Sequence, residues 1–265
     1  MTKPLNIIRI ILVLGCILSF YISRAQDYYE KSPPPKVIKP VPIDKGFSIA
    51  VSVGSAVPFK SFSSTNVKNS FWDFYSNDSI KLQGFAKPGI NLNITASYLF
   101  QGGIGIMMMF GSDTNPFDIG TFSSTVAEPF TSSQDFHTRE YLIGPYISFS
   151  ATPMLTLEAN ALIGLVTANY PSVAIAVVDT TETISFNAGK GFGYSVGGAA
   201  KYSLTKRIAV SVNVAYTQTK MVYSGWTDTY TAPGYDPYVI PHANDKTNMP
   251  MGILKITAGI VFKFH

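Results

Sequence analysis

Eight stretches of the chain alternate between apolar residues and small or polar ones, and in none does the apolar parity carry a charge. The clearest is Ile90, Leu92, Ile94, Ala96, Tyr98 and Phe100, interleaved with Asn91, Asn93, Thr95, Ser97 and Leu99. A repeat of two sends successive side chains to opposite faces of an extended chain, so each stretch predicts a strand with one apolar face. Ahead of it lies Phe47, Ile49, Val51 and Val53, and after it Ile104, Ile106, Met108 and Phe110. Next come Tyr141, Ile143, Pro145, Ile147 and Phe149, then Leu155, Leu157, Ala159, Ala161, Ile163 and Leu165. The sixth has Phe192, Tyr194, Val196, Gly198, Ala200 and Tyr202, and the seventh Ile208, Val210, Val212, Val214 and Tyr216. The last runs Leu254, Ile256, Ala258, Ile260, Phe262 and Phe264. Pro145 has no amide to give a ladder and is expected to mark a bulge.

The connections alternate in length. Residues 101–103, 152–154 and 203–207 are tight turns, whereas 58–87, 112–138, 168–191 and 218–251 are long loops. Tilted membrane strands need about 9–11 residues, which most of the eight stretches supply. Short turns on one rim and long loops on the other predict periplasmic turns and extracellular loops. Long structureless loops would also sit badly in a compact soluble domain. Rings collect at two depths: Phe47, Tyr98, Phe100, Phe149, Tyr202, Phe262 and Phe264 on the turn side, and Phe110, Tyr141, Phe192, Tyr194 and Tyr216 on the loop side. Two belts of this kind suit the two interfaces of a bilayer. The expected fold is all-β, an eight-stranded antiparallel up-and-down transmembrane β-barrel with short periplasmic turns and four long extracellular loops.

The first residues set the destination. Lys3 and Arg9 precede an apolar run from Ile10 to Ile22, followed by Ser23-Arg24-Ala25, which reads as a signal peptide over residues 1–25. Residues 26–45, with Ser32-Pro33-Pro34-Pro35 and Pro40 and Pro42, read as a Pro-rich periplasmic linker, and residues 46–265 as the barrel. The formal charge of +4 includes Lys3, Arg9 and Arg24, so cleavage leaves 17 basic against 16 acidic residues. A nearly neutral chain without a basic stripe argues against a nucleic-acid partner. Cys16 is the only cysteine and lies in the signal, so neither disulfides nor a thiolate metal site is expected in the mature chain.

In these features the chain resembles the small eight-stranded outer-membrane barrels of the OmpX type and the β-barrel domain common in outer membranes of Bacteroidetes. The resemblance covers residues 46–265, and its most specific element is the final strand with its aromatic residues Phe262 and Phe264. It implies insertion into the outer membrane of a Gram-negative bacterium, contact with outer-membrane lipids, and recognition of Phe262 and Phe264 as an assembly signal by the barrel-assembly machinery. Here the aromatic residue is penultimate and His265 is last, a departure from the usual terminal aromatic.

The opposite parity would fill the lumen. It is rich in Gly and Ser, with Asn91, Asn93, Asn160 and Asn213 among its polar members and Glu158, Lys201, Lys255 and Lys263 as its charges. Glu158 and Lys201 fall at similar depth on adjacent strands, which predicts a lumenal ion pair, because a lone buried carboxylate is costly. No cofactor is implied and no metal motif is recognisable; Asp228, Asp236 and Asp245 are too irregularly spaced for calcium. No catalytic motif stands out. His137, in Asp135-Phe136-His137, is the histidine nearest to acidic and basic neighbours, and a lumen-loop lipid hydrolase or protease built on it is the weaker reading. The loops are aromatic-rich: Trp72 and Tyr75 in the first, and Tyr223, Trp226, Tyr230 and Tyr235 in the last, are candidates to touch an extracellular glycan or protein, or else to pack the loops on one another. The expectation is therefore a non-enzymatic envelope or surface-interaction protein, with a narrow porin-like conduit for ions or small solutes as the alternative.

Overall fold

The computed structural model describes residues 45–73 and 80–264. The signal peptide, nearly all of the Pro-rich linker, Tyr75 and His265 lie outside the described residues. Among the described residues ten strands form: β1 (Gly46–Lys60), β2 (Gly89–Leu99), β3 (Ile104–Asn115), β4 (Phe136–Ser150), β5 (Leu155–Asn169), β6 (Val173–Val177), β7 (Thr180–Phe186), β8 (Gly189–Ser203), β9 (Ile208–Thr231) and β10 (Tyr238–Phe264). One helix of eight residues, α1 (Ile119–Val126), lies between β3 and β4.

Eight of the strands close a ring. Each of β1 to β5 pairs antiparallel with the next, β5 pairs with β8, β8 with β9 and β9 with β10, and β10 returns to β1 through Phe47↔Phe264 to Lys60↔Met251. Closure leaves the barrel no open edge, the condition for crossing hydrocarbon with strands. The hairpin β6–β7 stands outside the ring and adds to the far part of β9, from Thr181↔Thr231 to Phe186↔Trp226.

The apolar parity faces outward on every barrel strand. Val53, Ile94, Ile106, Ile143, Ile163, Val196, Val212 and Ile260, one from each, are all exposed, whereas Asn93, Glu158, Ser195, Ser211 and Thr257 of the opposite parity are buried. An apolar band of this extent far exceeds the few hundred Å² that soluble monomers expose, and it is the face of a protein that crosses a bilayer. At its rims Phe47 and Phe264 lie 5.8 Å apart on the turn side, and Phe110 and Tyr141 lie 5.3 Å apart on the loop side. Phe262 and Phe264 are exposed in the turn-side belt.

Two expectations change. Pro145 marks no bulge: β3 and β4 keep one register from Ile104↔Ile147 to Asn115↔Phe136, and the β4–β5 register is the same on either side of Pro145. Its missing amide costs a rung and not an extra residue, and at the adjacent Gly144 β5 comes so close that a Cβ would stand 2.1 Å from Ala161 O. Second, residues 218–251 are not a loop. β9 and β10 continue through them as one ladder up to Tyr238↔Tyr230, interrupted by an irregularity between His242 and Lys246.

Both the extended strands and their concealment have the same cause, since beyond the bilayer the polarity of the two faces inverts. On β9 the inward residues become Met221 and Tyr223, both buried, while Lys220 and Ser224 face out. On β10 Met249 and Met251 are buried, and on β4 Phe136 is buried with His137 and Arg139 outside. A strand half in lipid and half under a cap switches its apolar side where it leaves the membrane.

Candidate functional site

Three layers occupy the axis of the barrel. Nearest the turns, Lys201 on β8 pairs with Thr156 of β5, one diagonal from Glu158, and its Nζ stands 2.7 Å from Glu158 Oε1, with both side chains buried. Lys263, from the end of β10, donates to Ser203 Oγ at 2.8 Å. This end opens as a basin of about 530 Å³. One step inward lies a cavity of about 50 Å³ that Asn93, Asn160, Asn213 and Thr257 help to line, with Glu158 and Lys201 at one side and Lys255 at another. Asn213 Nδ2 donates to Thr257 Oγ1 at 3.2 Å, and Asn91 Nδ2 to Asn93 Oδ1 at 3.2 Å.

The second layer is an ionic group that spans the lumen. Lys255 of β10 is flanked in the ladder by Ala56 and Ala215, whose short side chains leave room for it. Its Nζ reaches Glu140 Oε2 of β4 at 2.5 Å and Asp113 Oδ2 of β3 at 3.4 Å, on the far side of the ring. All three are essentially inaccessible, with side-chain exposures of 1% for Lys255 and 0% for each acid. Asn91 Nδ2 donates to Asp113 Oδ1 at 2.6 Å and Thr217 Oγ1 to Glu140 Oε2 at 3.4 Å. Two carboxylates thus share one ammonium in a sealed compartment, where low dielectric makes the attraction strong and an unpaired charge expensive. Sequence reading placed Lys255 in the lumen but missed Asp113 and Glu140, because it ended the third and fourth strands too soon. Continuing the parity of Gly105, Met107, Met109 and Gly111 to Asp113, and of Leu142 back to Glu140, would have found both.

The third layer closes the loop end. Three connections and the extended β9 send rings into one cluster: Phe62, Trp72 and Phe85 from residues 61–88, Phe117, Phe122 and Phe130 from 116–135, Tyr170 from 170–188 with Phe186 packed against it, and Tyr223 from β9. Trp72 meets Phe122 edge-on at 4.9 Å and Phe136 meets Phe62 edge-on at 5.0 Å, the geometry that ring quadrupoles favour. Trp72 Nε1 donates to Tyr170 OH at 3.0 Å, and Tyr170 OH donates to Gln83 O at 2.7 Å, so the polar atoms of two buried rings find partners. Burial pushes the Tyr170 hydroxyl well above the ordinary tyrosine range against the opposing hydrogen bond from Trp72. Trp72, at 1% exposure, and Tyr223, at 0%, are therefore not surface contacts but parts of this core, which corrects their assignment as loop contact residues.

Helix α1 carries Phe122 into that core. Its N-cap is Asp118, whose Oδ1 accepts from Thr121 N at 3.2 Å and lies 3.0 Å from Lys87 Nζ. Partial burial opposes ionisation of Asp118, but the Lys87 ammonium and the Thr121 hydroxyl and amide together hold its carboxyl below the usual value.

Above the core, β6, β7 and the far parts of β9 and β10 form a projecting sheet. Tyr235 is 80% exposed at the β9–β10 turn, Val178 is 94% exposed at the β6–β7 turn, and Tyr238 and Val239 are exposed beside them. Tyr230, partly buried, donates to Glu182 Oε1 at 2.9 Å. His242 stacks on Trp226 at 4.6 Å and 12°, with Asp228 Oδ2 3.0 Å from Nε2 and Asp245 Oδ2 3.4 Å from Nδ1. The ladder brings together two aspartates that their spacing in sequence keeps apart. Among the described residues no group of three or more His, Cys, Asp or Glu side chains is arranged to hold a metal ion. His137 is not a loop residue: it lies in β4 on the exposed outer face, with Nδ1 3.2 Å from Thr114 Oγ1, away from the lumenal acids.

No protein-family model and no curated protein sequence matches the chain. Among solved structures it is similar to the Neisserial surface protein A, at 15% identity over 83% of this chain and 97% of that one, with a TM-score of 0.45. Ail, the attachment invasion locus protein of Yersinia pestis, aligns at 13% identity over 84% and 100%, with a TM-score of 0.38. The outer-membrane protease OmpT of Escherichia coli aligns at 10% identity over 86% and 99%, with a TM-score of 0.46. The chain's own ladder makes it an eight-stranded antiparallel barrel with an apolar exterior and a capped mouth, and these similarities add no activity to that.

Proposed function

We propose that the chain is a non-enzymatic outer-membrane β-barrel protein that presents a preorganised surface for an external glycan or protein, with its short turns in the periplasm and its cap outside the cell. One observation carries the reading: three loops and the extended strand β9 share a single closed aromatic core. Loops that merely joined strands would have no reason to bury Trp72, Phe122 and Tyr223 together, whereas a recognition surface gains affinity when the ordering entropy has been met during folding. The exposed rings of that surface are Tyr235 and Tyr238, and amphipathic rings of this kind suit sugar and protein contacts. On this reading outer-membrane lipids surround the apolar band, and the assembly machinery engages the strand that ends in Phe262 and Phe264.

The narrow-conduit alternative is disfavoured by the same core and by Lys255 with its two acids, which together occupy the axis above the small inner cavity. Purified protein in nanodiscs, screened on glycan and envelope-protein arrays, should give hits that weaken at least tenfold in Tyr235→Ser/Tyr238→Ser with heat-modifiable gel mobility unchanged. Stable single-channel steps in planar bilayers, or array hits indifferent to both tyrosines, would overturn the proposal.

A further inference from the structure

The turn-side basin has a charge balance that its own side chains do not satisfy. Lys206 aside, its charged lining residues are Glu158, Lys201 and Lys263, two ammonium groups against one carboxylate. That carboxylate is already engaged by Lys201 at 2.7 Å. Lys263 is half-buried, donates one hydrogen bond to Ser203 Oγ, and has no carboxylate of the described residues within ion-pairing distance. An ammonium has three donors, so two remain for a ligand in the basin. Most of the other polar lining is hydroxyl, from serines and threonines such as Thr156 and Thr205, which donate equally well to an anion. The walls are strands backed by an apolar exterior, and a cleft of one sign with low-dielectric walls concentrates its field on whatever enters.

We propose that this basin is a binding site for a small oxyanion, a phosphate or carboxylate group held by Lys263 and the neighbouring hydroxyls over the fixed floor of the Lys201–Glu158 pair. The group could be carried by a soluble compound or by a lipid headgroup at the adjacent rim, and the chemistry of capture is the same. The proposal is independent of what the loops bind, because the two ends of the barrel are separated by the Lys255 layer.

The test uses the full mature chain in uncharged detergent micelles with its lysines labelled biosynthetically with carbon-13 at Cε, which leaves the ammonium and its three donors intact. Inorganic phosphate is titrated against chloride at matched ionic strength. Expected are saturable shifts of the Lys263 and Lys201 Cε signals with phosphate and none that saturate with chloride. In Lys263→Met the midpoint read at Lys201 should rise at least tenfold, with heat-modifiable mobility unchanged; Lys263→Gln serves if that variant fails to fold. Nanodiscs of phosphatidylcholine with and without phosphatidylglycerol separate the sources. A headgroup ligand leaves Lys263 already shifted and deaf to phosphate in the glycerol-lipid discs, and a soluble ligand leaves the phosphate response intact in both; either result supports the site. Equal, linear drift with phosphate and chloride, or an unchanged midpoint in the Lys263 variant, overturns it.

Discussion

Replacing Lys255 by methionine removes the ammonium but keeps most of the volume of the side chain, so it isolates charge from packing. Glu140 then loses a partner at 2.5 Å and Asp113 one at 3.4 Å, in a compartment where neither acid is exposed. Remaining to them are one amide donor from Asn91 and a long hydrogen bond from Thr217. Breaking one buried pair costs about 3–5 kcal/mol, and with two carboxylates left facing each other the loss should reach about 4 kcal/mol or more. At about 1.4 kcal/mol per factor of ten, the ratio of folded to unfolded protein should fall by roughly a thousandfold. Urea unfolding in short-chain lipid vesicles measures it as a lower midpoint with an unchanged slope, the sign that stability and not compactness has moved. The triple variant Lys255→Met/Asp113→Asn/Glu140→Gln, with no charge left to compensate, should recover most of the loss, because a whole buried ion group is often replaceable at little cost. A single variant within about 1 kcal/mol of the parent would refute the reasoning, since that is the range of a solvated surface pair. So would a triple variant no more stable than the single one.

The other predictions concern lipid, cap and pH. Ile94→Lys sets a charge in the apolar band and should cost about 2–4 kcal/mol, whereas Asn93→Ala, facing the lumen one residue away, should insert almost as the parent does; equal heat-modifiable mobility of the two would sink the assignment of faces. Trp72→Ala leaves a hole among rings from three loops and should cost the cap about 3–5 kcal/mol, read as faster proteolysis of residues 61–88 and 116–135 with the barrel itself still resistant. The carboxyl of Asp118 is lowered on folding, so its stabilisation of α1 is present above the ordinary value of 3.8 and is lost as pH falls through that value and on through the folded one. Hydrogen exchange of residues 119–126 should therefore quicken in acid by the equivalent of up to about 1 kcal/mol of lost capping, and Asp118→Asn, which keeps an acceptor at the cap, should flatten that dependence. Gly144→Val should impair folding more than Gly102→Val, because a Cβ at 144 meets Ala161 O at 2.1 Å while one at 102 meets nothing within 4 Å, leaving only the backbone strain of a φ of 96° there.

The sequence by itself determined the membrane part of this protein. Strict period-two alternation in segments such as Ile90 to Phe100 settled strand identity, the outward face and the approximate depth of the rings, since side-chain direction along a strand follows from residue spacing alone. It also brought Glu158 and Lys201 to the same depth on neighbouring strands, a local relation between two short segments. Tertiary structure decided everything that depends on bringing distant segments together. Lys255 finds Asp113 and Glu140 only because closure sets β10 opposite β3 and β4, and no local spacing reports which strands face one another across a ring. The cap was hidden for a second reason: outside the bilayer the apolar side of each strand turns inward, so a pattern followed at fixed parity stops where the lipid stops. Trp72 and Tyr223 read as exposed contact residues in that pattern, and they became buried once three separate loops and the extended β9 had one another's rings to pack against.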